Sequence, residues 1–280
     1  MATEKIRILA VLDPTRNDQW ALQKALSIAK NRGDTDVYAF LCVSSNAECD
    51  DLAELRSVEL RRHMIWLDEI LADFDVDGIN IERVVDWNDD WREATCQIAK
   101  DTDVNLVVKR ASGRQKSLAS SDRQLIRNLQ CALLLVKHDP AKEIEKTLVA
   151  VDFNATDESH SKLNDAIMKL GKRIRGSIGR MELHAVSAYP ESDKFIHPPD
   201  VAKTLDIDRS QAHVRQGSAY DVIPAFANKI KADLVIVGNV ARRGLSGLVV
   251  GNTSEKILTD IRSDVLVLVR EEGTSCITRY

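Results

Sequence analysis

Two stretches decide the fold: Ile6-Arg-Ile-Leu-Ala-Val-Leu-Asp13 and Glu145-Lys-Thr-Leu-Val-Ala-Val-Asp152, which align at an offset of 139. Each is a short, apolar, β-rich run closed by an aspartate, the pattern of a buried strand that delivers a carboxylate to a loop. The echo continues along the chain. Asn105-Leu-Val-Val108 matches Asp233-Leu-Val-Ile236 at an offset of 128, and Ala132-Leu-Leu-Leu-Val-Lys137 matches Val265-Leu-Val-Leu-Val-Arg270 at 133. A supersecondary plan has been used twice, and the 280 residues suit two domains, at about 100–200 residues per domain. The repeats are expected at 1–140 and 141–280, joined in the charged stretch His138-Asp-Pro-Ala-Lys-Glu-Ile-Glu-Lys146.

Between the strands the hydrophobic period alternates. Helical spacing runs over 21–29, 54–74 and 91–99 in the first repeat, with strands at 37–43 and 79–85. The second repeat reads as a helix from 158 to 174, a strand at 181–188, an irregular stretch containing Pro198-Pro199, a strand at 211–215 and a helix at 219–230. Near-continuous apolar strands separated by helices imply a parallel sheet covered on both faces, because right-handed crossovers place the helices there. The expected class is therefore α/β, two tandem doubly wound domains.

Composition narrows the function. Hydrophobic residues make up 44% and charged residues 29%, the balance of a soluble globular chain, and no apolar run approaches the roughly 20 residues of a membrane-spanning helix. The N-terminal Met1-Ala2-Thr3-Glu4-Lys5 lacks the basic and apolar regions of an export signal, so a cytoplasmic, non-membrane protein is expected. A net charge of −4, with Lys and Arg scattered, argues against nucleic acid as a partner. Cys42, Cys49, Cys96, Cys131 and Cys276 show no metal-like spacing, fit a reducing compartment, and read as buried thiols rather than redox groups. His184 and His213 read as structural histidines. His138, His160 and His197 lie in or near connections without ligands at zinc spacing. Asp13 and Asp152 lack the acidic pair that would hold magnesium in a phospho-acceptor domain.

In an open parallel sheet a ligand sits outside the carboxyl ends of the strands, at the switch point of strand order. In the second repeat the fourth strand runs into Val237-Gly238-Asn239-Val240-Ala241-Arg242-Arg243-Gly244-Leu245-Ser246-Gly247-Leu248-Val249-Val250-Gly251-Asn252-Thr253-Ser254-Glu255-Lys256, with four glycines in fourteen residues. Such a loop lets backbone amides approach a phosphate, and a helix opening near Asn252 or Thr253 would aim its N–H groups at it. Asn252 or Thr253 followed by Glu255 also reads as an ordinary helix N-cap, and both readings stay open. Arg242 and Arg243 could add charge toward a phosphate or stand as solvated loop residues.

A strand ending in Gly238, a glycine-spaced loop closing on Gly251-Asn252-Thr253, the aspartates after each first strand, and Arg215-Gln-Gly217 before a helix together resemble the universal stress protein family. The likeness covers essentially the whole chain and points to its tandem, two-repeat E-type branch. It implies a flavodoxin-like α/β sandwich of five parallel strands per repeat, a stress-response role and, in some members, bound ATP. By position, the family's ligand contacts would fall on Asp152, Gly238, Ala241, Arg242, Gly244, Gly251, Asn252 and Thr253. Two of these depart from the pattern: Ala241 replaces the second glycine and Asn252 the expected Ser or Thr.

The first repeat departs further. Arg110 stands for the first glycine, Arg114-Gln-Lys116 fills the middle, and about five residues are missing from the loop, so no standard ATP site is expected there. Trp20, Trp66, Trp87 and Trp91 all fall in this half, as packing surface or as the wall of an apolar pocket. The expectation is a small-ligand-binding regulator rather than an enzyme, because no nucleophile and base accompany the loop, and the His-x-Gly-His and Ser-Gly-Gly-x-Asp motifs of related nucleotidyl-transferases and pyrophosphatases are absent. The alternative is a non-catalytic scaffold with vestigial nucleotide sites or a lipid-like guest. The resemblance also implies that the two final strands pair within the chain as an internal pseudo-dimer, leaving a homodimer open.

Overall fold

The computed structural model describes residues 5–44, 51–112, 119–241 and 257–271. They form two compact units, Met1–Arg110 and Ala111–Tyr280. The first unit runs β1 (Ile6–Val11), α1 (Trp20–Arg32), β2 (Thr35–Val43), α2 (Leu52–Ala72), β3 (Asn80–Trp87), α3 (Trp91–Asp101) and β4 (Leu106–Arg110). Its strands are all parallel, in the order β3-β2-β1-β4. Chain direction across the sheet reverses between β1 and β4, which makes that junction the switch point. Ile8, Leu9, Ala10, Val107 and Val108 are wholly buried, as strands covered on both faces require.

The second unit contains α4 (Ser120–Asn128), β5 (Ala132–Val136), β6 (Lys146–Ala150), α5 (Glu158–Ser177), β7 (Glu182–Tyr189), α6 (Pro198–Leu205), β8 (Ala212–Gln216), α7 (Ala219–Ile230), β9 (Leu234–Ala241) and β10 (Asp264–Glu271). Its sheet order is β5-β10-β9-β6-β7-β8, parallel throughout except where β5 meets β10. There the closing strands of the two repeats pair antiparallel, with Val265 opposite Leu135 and Val267 opposite Leu133. The switch point of this unit lies between β6 and β9.

One device recurs where each repeat enters its fourth strand. The Asn105 carboxamide accepts the Arg7 amide at 2.9 Å, and the Asp233 carboxylate accepts the amides of Glu145 and Lys146 at 3.0 and 2.9 Å. A short polar side chain thus locks the start of the first strand to the strand beside it, which is why the matched pairs Asn105-Leu-Val-Val and Asp233-Leu-Val-Ile both open on an Asx residue. Lys142 adds a 2.6 Å ion pair to Asp233 and ties the inter-repeat segment to the same point.

Helix starts follow the sequence signals. Asp51, Asp90 and Asp157 each accept amides of the first turn they precede. One expectation is corrected: the stretch around Pro198-Pro199 is not irregular but opens α6. Proline there loses no helical hydrogen bond, since the first-turn amides have no intrahelical partner, and Val201, Ala202 and Leu205 fix the helix by burial. Among the described residues no helix is long and apolar enough to cross a membrane.

Candidate functional site

The two switch points are built from corresponding residues and filled differently. In the first unit Asp13 follows β1, and the Gln19 side chain brackets it: Gln19 Oε1 accepts the Asp13 amide at 3.1 Å and Gln19 Nε2 donates to the Asp13 carbonyl at 2.8 Å. In the second unit Asn164 does the same for Asp152, accepting its amide at 3.1 Å and donating to its carbonyl at 2.6 Å. The brackets come from different places: Gln19 is the cap residue ahead of α1, with Asp18 before it, whereas Asn164 and Leu163 lie inside α5.

What meets the two strand ends is opposite in chemistry. Leu163 lies directly on Gly238, where an added Cβ would stand 2.5 Å from Leu163 Cδ2 and 3.1 Å from Ile167 Cδ1. Glycine is required there because α5 packs onto the strand. Gly238 and Ala241 both belong to β9, which stays paired with β10 as far as Ala241 opposite Glu271. The strand therefore runs three residues past Gly238, where the sequence has it end, and the extended backbone at Ala241 does not call for glycine. In the first unit the position of Gly238 is Arg110, and the side chain that meets it is Asp18, ahead of α1. Arg110 Nη1 meets Asp18 Oδ2 at 2.6 Å, and its guanidinium lies 3.6 Å from the centre of the Trp20 ring. An ion pair stacked on an aromatic face stands where the other unit has leucine on glycine.

The aspartates differ in the same sense. The Asp13 carboxylate accepts Thr15 Oγ1 at 2.6 Å and the Thr15 amide at 3.0 Å, and pairs with Arg16 Nε at 3.2 Å. Burial alone would raise its pKa, but these hydrogen bonds and the arginine charge outweigh it and hold the carboxyl below the ordinary carboxylate range. Asp152 is exposed, and among the described residues its carboxylate accepts only the Asn154 amide, at 2.9 Å. Lys109, next to Arg110, is buried with its ammonium 5.2 Å from the centre of the Trp91 ring. The first unit's own cations thus lie over Trp20 and Trp91, the first residues of α1 and α3.

At the mouth of the second unit the structure brings in residues the sequence did not single out. Asn154 Nδ2 donates to the Lys194 carbonyl at 3.1 Å, which draws the turn after β7 beside Asp152. Tyr189 and Phe195 meet edge to face at 5.5 Å between ring centres, and Phe195 meets His197 at 5.2 Å. Phe195 is largely exposed. The exposed Asp152 carboxylate and the turn that carries Phe195 are thus linked through Asn154. The aromatics were not legible in advance because they lie on a strand end and a turn whose approach to Asp152 depends on one side chain to backbone bond. The loop residues Arg242, Gly244, Gly251, Asn252 and Thr253 lie outside the described residues.

The helix that follows this loop is anchored from the other repeat's closing strand. Lys137, just after β5, donates from Nζ to the carbonyls of Leu258 and Ile261 at 2.8 and 2.6 Å, and Asp264 Oδ1 accepts the Lys137 amide at 2.7 Å. Burial pulls the Lys137 pKa down to about 8, even with Asp122, Asp264 and Asp260 nearby. Asn239, buried on β9, donates to the Ile126 carbonyl of α4 at 3.3 Å.

The remaining titratable candidates are structural. His184 Nδ1 and His213 Nε2 are 3.3 Å apart, and the far nitrogen of His184 meets Glu182 Oε2 at 3.1 Å. Burial first, then His184 and nearby cations, lowers the His213 pKa to about 4 and keeps that ring neutral. Burial raises the Cys42 and Cys96 thiols to about 11, away from thiolate reactivity. Among the described residues no His, Cys, Asp and Glu converge as a metal site.

Comparison with known proteins matches these two repeats one by one. The family model described as "Universal stress protein family" fits residues 6–137 and again 143–270. The chain belongs to the universal stress protein family. It is a tandem member of the E type, 26% identical over 93% of its length to Universal stress protein E of Escherichia coli K12, of which 93% is covered. The Universal stress protein E homolog of Haemophilus influenzae is also 26% identical, over 92% of this chain and 96% of its own. Among solved structures, a functionally unknown protein from Pseudomonas aeruginosa PAO1 superposes with a TM-score of 0.77 at 26% identity, covering 98% of this chain and 95% of its own. A universal stress protein from Archaeoglobus fulgidus shares the fold at a TM-score of 0.70 and 16% identity, over 96% and 97% of the two chains.

Proposed function

We propose that this stress-response family member is a cytoplasmic, small-ligand-binding regulator with no chemistry of its own, and that its ligand site lies at the β6/β9 switch point of the second repeat, with ATP as the first candidate. The observation that carries the reading is the contrast between the two aspartates. Asp13 accepts hydrogen bonds from Thr15 and pairs with Arg16, near the Arg110–Asp18 pair stacked on Trp20, whereas Asp152 is exposed, accepts only the Asn154 amide among the described residues, and is linked through Asn154 to the turn that carries Phe195.

In this reading Asp152 accepts hydrogen bonds from hydroxyl or amino donors of the ligand, and the aromatic cluster offers a face for a planar group. Bound ATP would bring a triphosphate for which the glycine-rich sequence from Gly244 to Thr253 is the natural cradle, with Arg242 available for its charge. A scaffold role through the closing strands has less support, because β5 and β10 already pair with each other.

The test is mass spectrometry of the small molecules released when purified protein is denatured, alongside calorimetric titration with ATP. Recovered adenine nucleotide, or ATP binding that is lost in Asp152→Ala and Gly251→Asp, supports the reading. A protein that carries nothing and does not bind ATP overturns the nucleotide, and a recovered lipid moves attention to a different ligand class.

A further inference from the structure

The outer face of α2 carries exposed apolar residues at regular spacing. Of its 21 residues only Leu67 is fully buried, and on the side opposite Leu67 stand Val58 and Ile65, 53% and 61% exposed. They are a heptad apart, and Ala72, also exposed, extends the row by a further heptad. At 1.5 Å rise per residue the row is about 21 Å long, the length of a helix–helix seam.

The charges flanking this row are arranged about Ile65. Arg61 stands one turn before Ile65 and Glu69 one turn after it, and Arg62 and Asp68 repeat the pattern one residue closer. Within the chain these outer charges are thinly compensated. Arg61 donates only to the Ser57 hydroxyl at 3.3 Å, and Glu69 has no ion-pair partner among the described residues. Arg62 reaches Glu59 at 3.4 Å, and Asp68 pairs with Arg83.

We propose that this face binds a second copy of the chain, α2 against α2 in antiparallel orientation about a two-fold axis through Ile65. Such an axis places residues equally spaced before and after Ile65 opposite one another. Ile65 meets its own copy, Val58 meets the partner's Ala72, Arg61 meets the partner's Glu69, and Arg62 meets the partner's Asp68. Each contact other than the axial Ile65 pair occurs twice, as an isologous interface requires. A parallel pairing would oppose Arg61 to Arg61 and Glu69 to Glu69, so the charges select the antiparallel one. One helix pair lies at or below the roughly 1,200 Å² of standard stable interfaces, so the dimer is reversible and concentration-dependent.

Sedimentation of the full chain over a roughly hundredfold concentration range tests this. The wild type is expected to show a monomer–dimer equilibrium. Ile65→Glu, Arg61→Glu and Glu69→Arg should each weaken it at least about tenfold without changing the helical circular dichroism. The decisive arm is charge exchange. The double variant R61E/E69R should dimerise again, and an equimolar mixture of R61E with E69R should form the heterodimer that neither forms alone. A wild type that is monomeric throughout overturns the proposal, as does a dimer indifferent to Ile65→Glu or one that charge exchange fails to restore.

Discussion

The strand ends of the two units are the same frame carrying opposite fillings. In one, Leu163 on Gly238 makes a dry helix-to-strand contact and leaves the aspartate beyond it open. In the other, Asp18 with Arg110 makes a charged contact roofed by Trp20, and the aspartate beyond it is closed by its own loop. The difference shows how one strand end accepts two chemistries: Gly238 lets a helix pack directly on the strand, whereas Arg110 is accommodated by an ion pair with Asp18 and by the Trp20 ring.

The largest effect should come from forcing the first unit's solution onto the second. Gly238→Val places a branched side chain against Leu163 and Ile167 and should destabilise the second unit by about 3 kcal/mol, read by thermal or urea unfolding. Adding Leu163→Ala should recover a substantial part of that loss. If Gly238→Val is neutral, the close packing of α5 on β9 is wrong.

Next in size is the anchor behind the second site. Lys137→Met removes the donor to the Leu258 and Ile261 carbonyls and should cost about 2 kcal/mol near neutral pH. The pH dependence gives a sharper signature. The folded pKa of Lys137 is lowered to about 8 from 10.5, so between those values the unfolded chain binds more protons than the folded one. Stability from this group therefore rises as pH increases from about 8 to 10.5 and is lost as pH falls through 8. The difference between wild type and Lys137→Met should grow over that window, and a constant difference would contradict the burial of the ammonium.

A smaller effect separates the aspartates. Asp13→Asn disrupts its bonds with Thr15 and Arg16 and should cost about 1 kcal/mol, whereas Asp152→Asn, which touches one backbone amide, should leave unfolding nearly unchanged. Because the Asp13 pKa is lowered in the fold, its contribution is present above the ordinary carboxylate pKa and disappears as pH falls through the folded value. Equal costs for the two variants would erase the contrast on which the site assignment rests. The smallest change is expected from Arg110→Ala, below about 1 kcal/mol in stability, but it uncovers the Trp20 ring and should shift tryptophan emission to the red.

Much of the fold was legible from one-dimensional pattern. The apolar runs at Ile6 and Lys146 and the alternation with helical periods specify a parallel sheet, because burial on both faces leaves a near-continuous hydrophobic trace. Pro198-Pro199 misled, since proline marks either an irregular stretch or a helix start, and only the burial of Val201, Ala202 and Leu205 distinguishes them. At the strand ends, the sequence singled out Asp152 and Arg110 and placed Gly238 at a strand end as a ligand contact, but its packing against α5 was not legible. Its constraint comes from Leu163, distant in sequence, and no local pattern carries that.

The sequence by itself determined the duplication, the α/β class, the family and the erosion of the first repeat, all of which are written in strand periodicity and in residue types at matched positions. Tertiary structure alone decided which carboxylate is open, what meets Arg110 at the first repeat's strand end, that Lys137 of one repeat caps the helix after the other's loop, and that α2 leaves a self-complementary row uncovered. These are contacts between residues far apart along the chain. Their energies depend on distance and burial, which become defined only when the sheet brings the strand ends together.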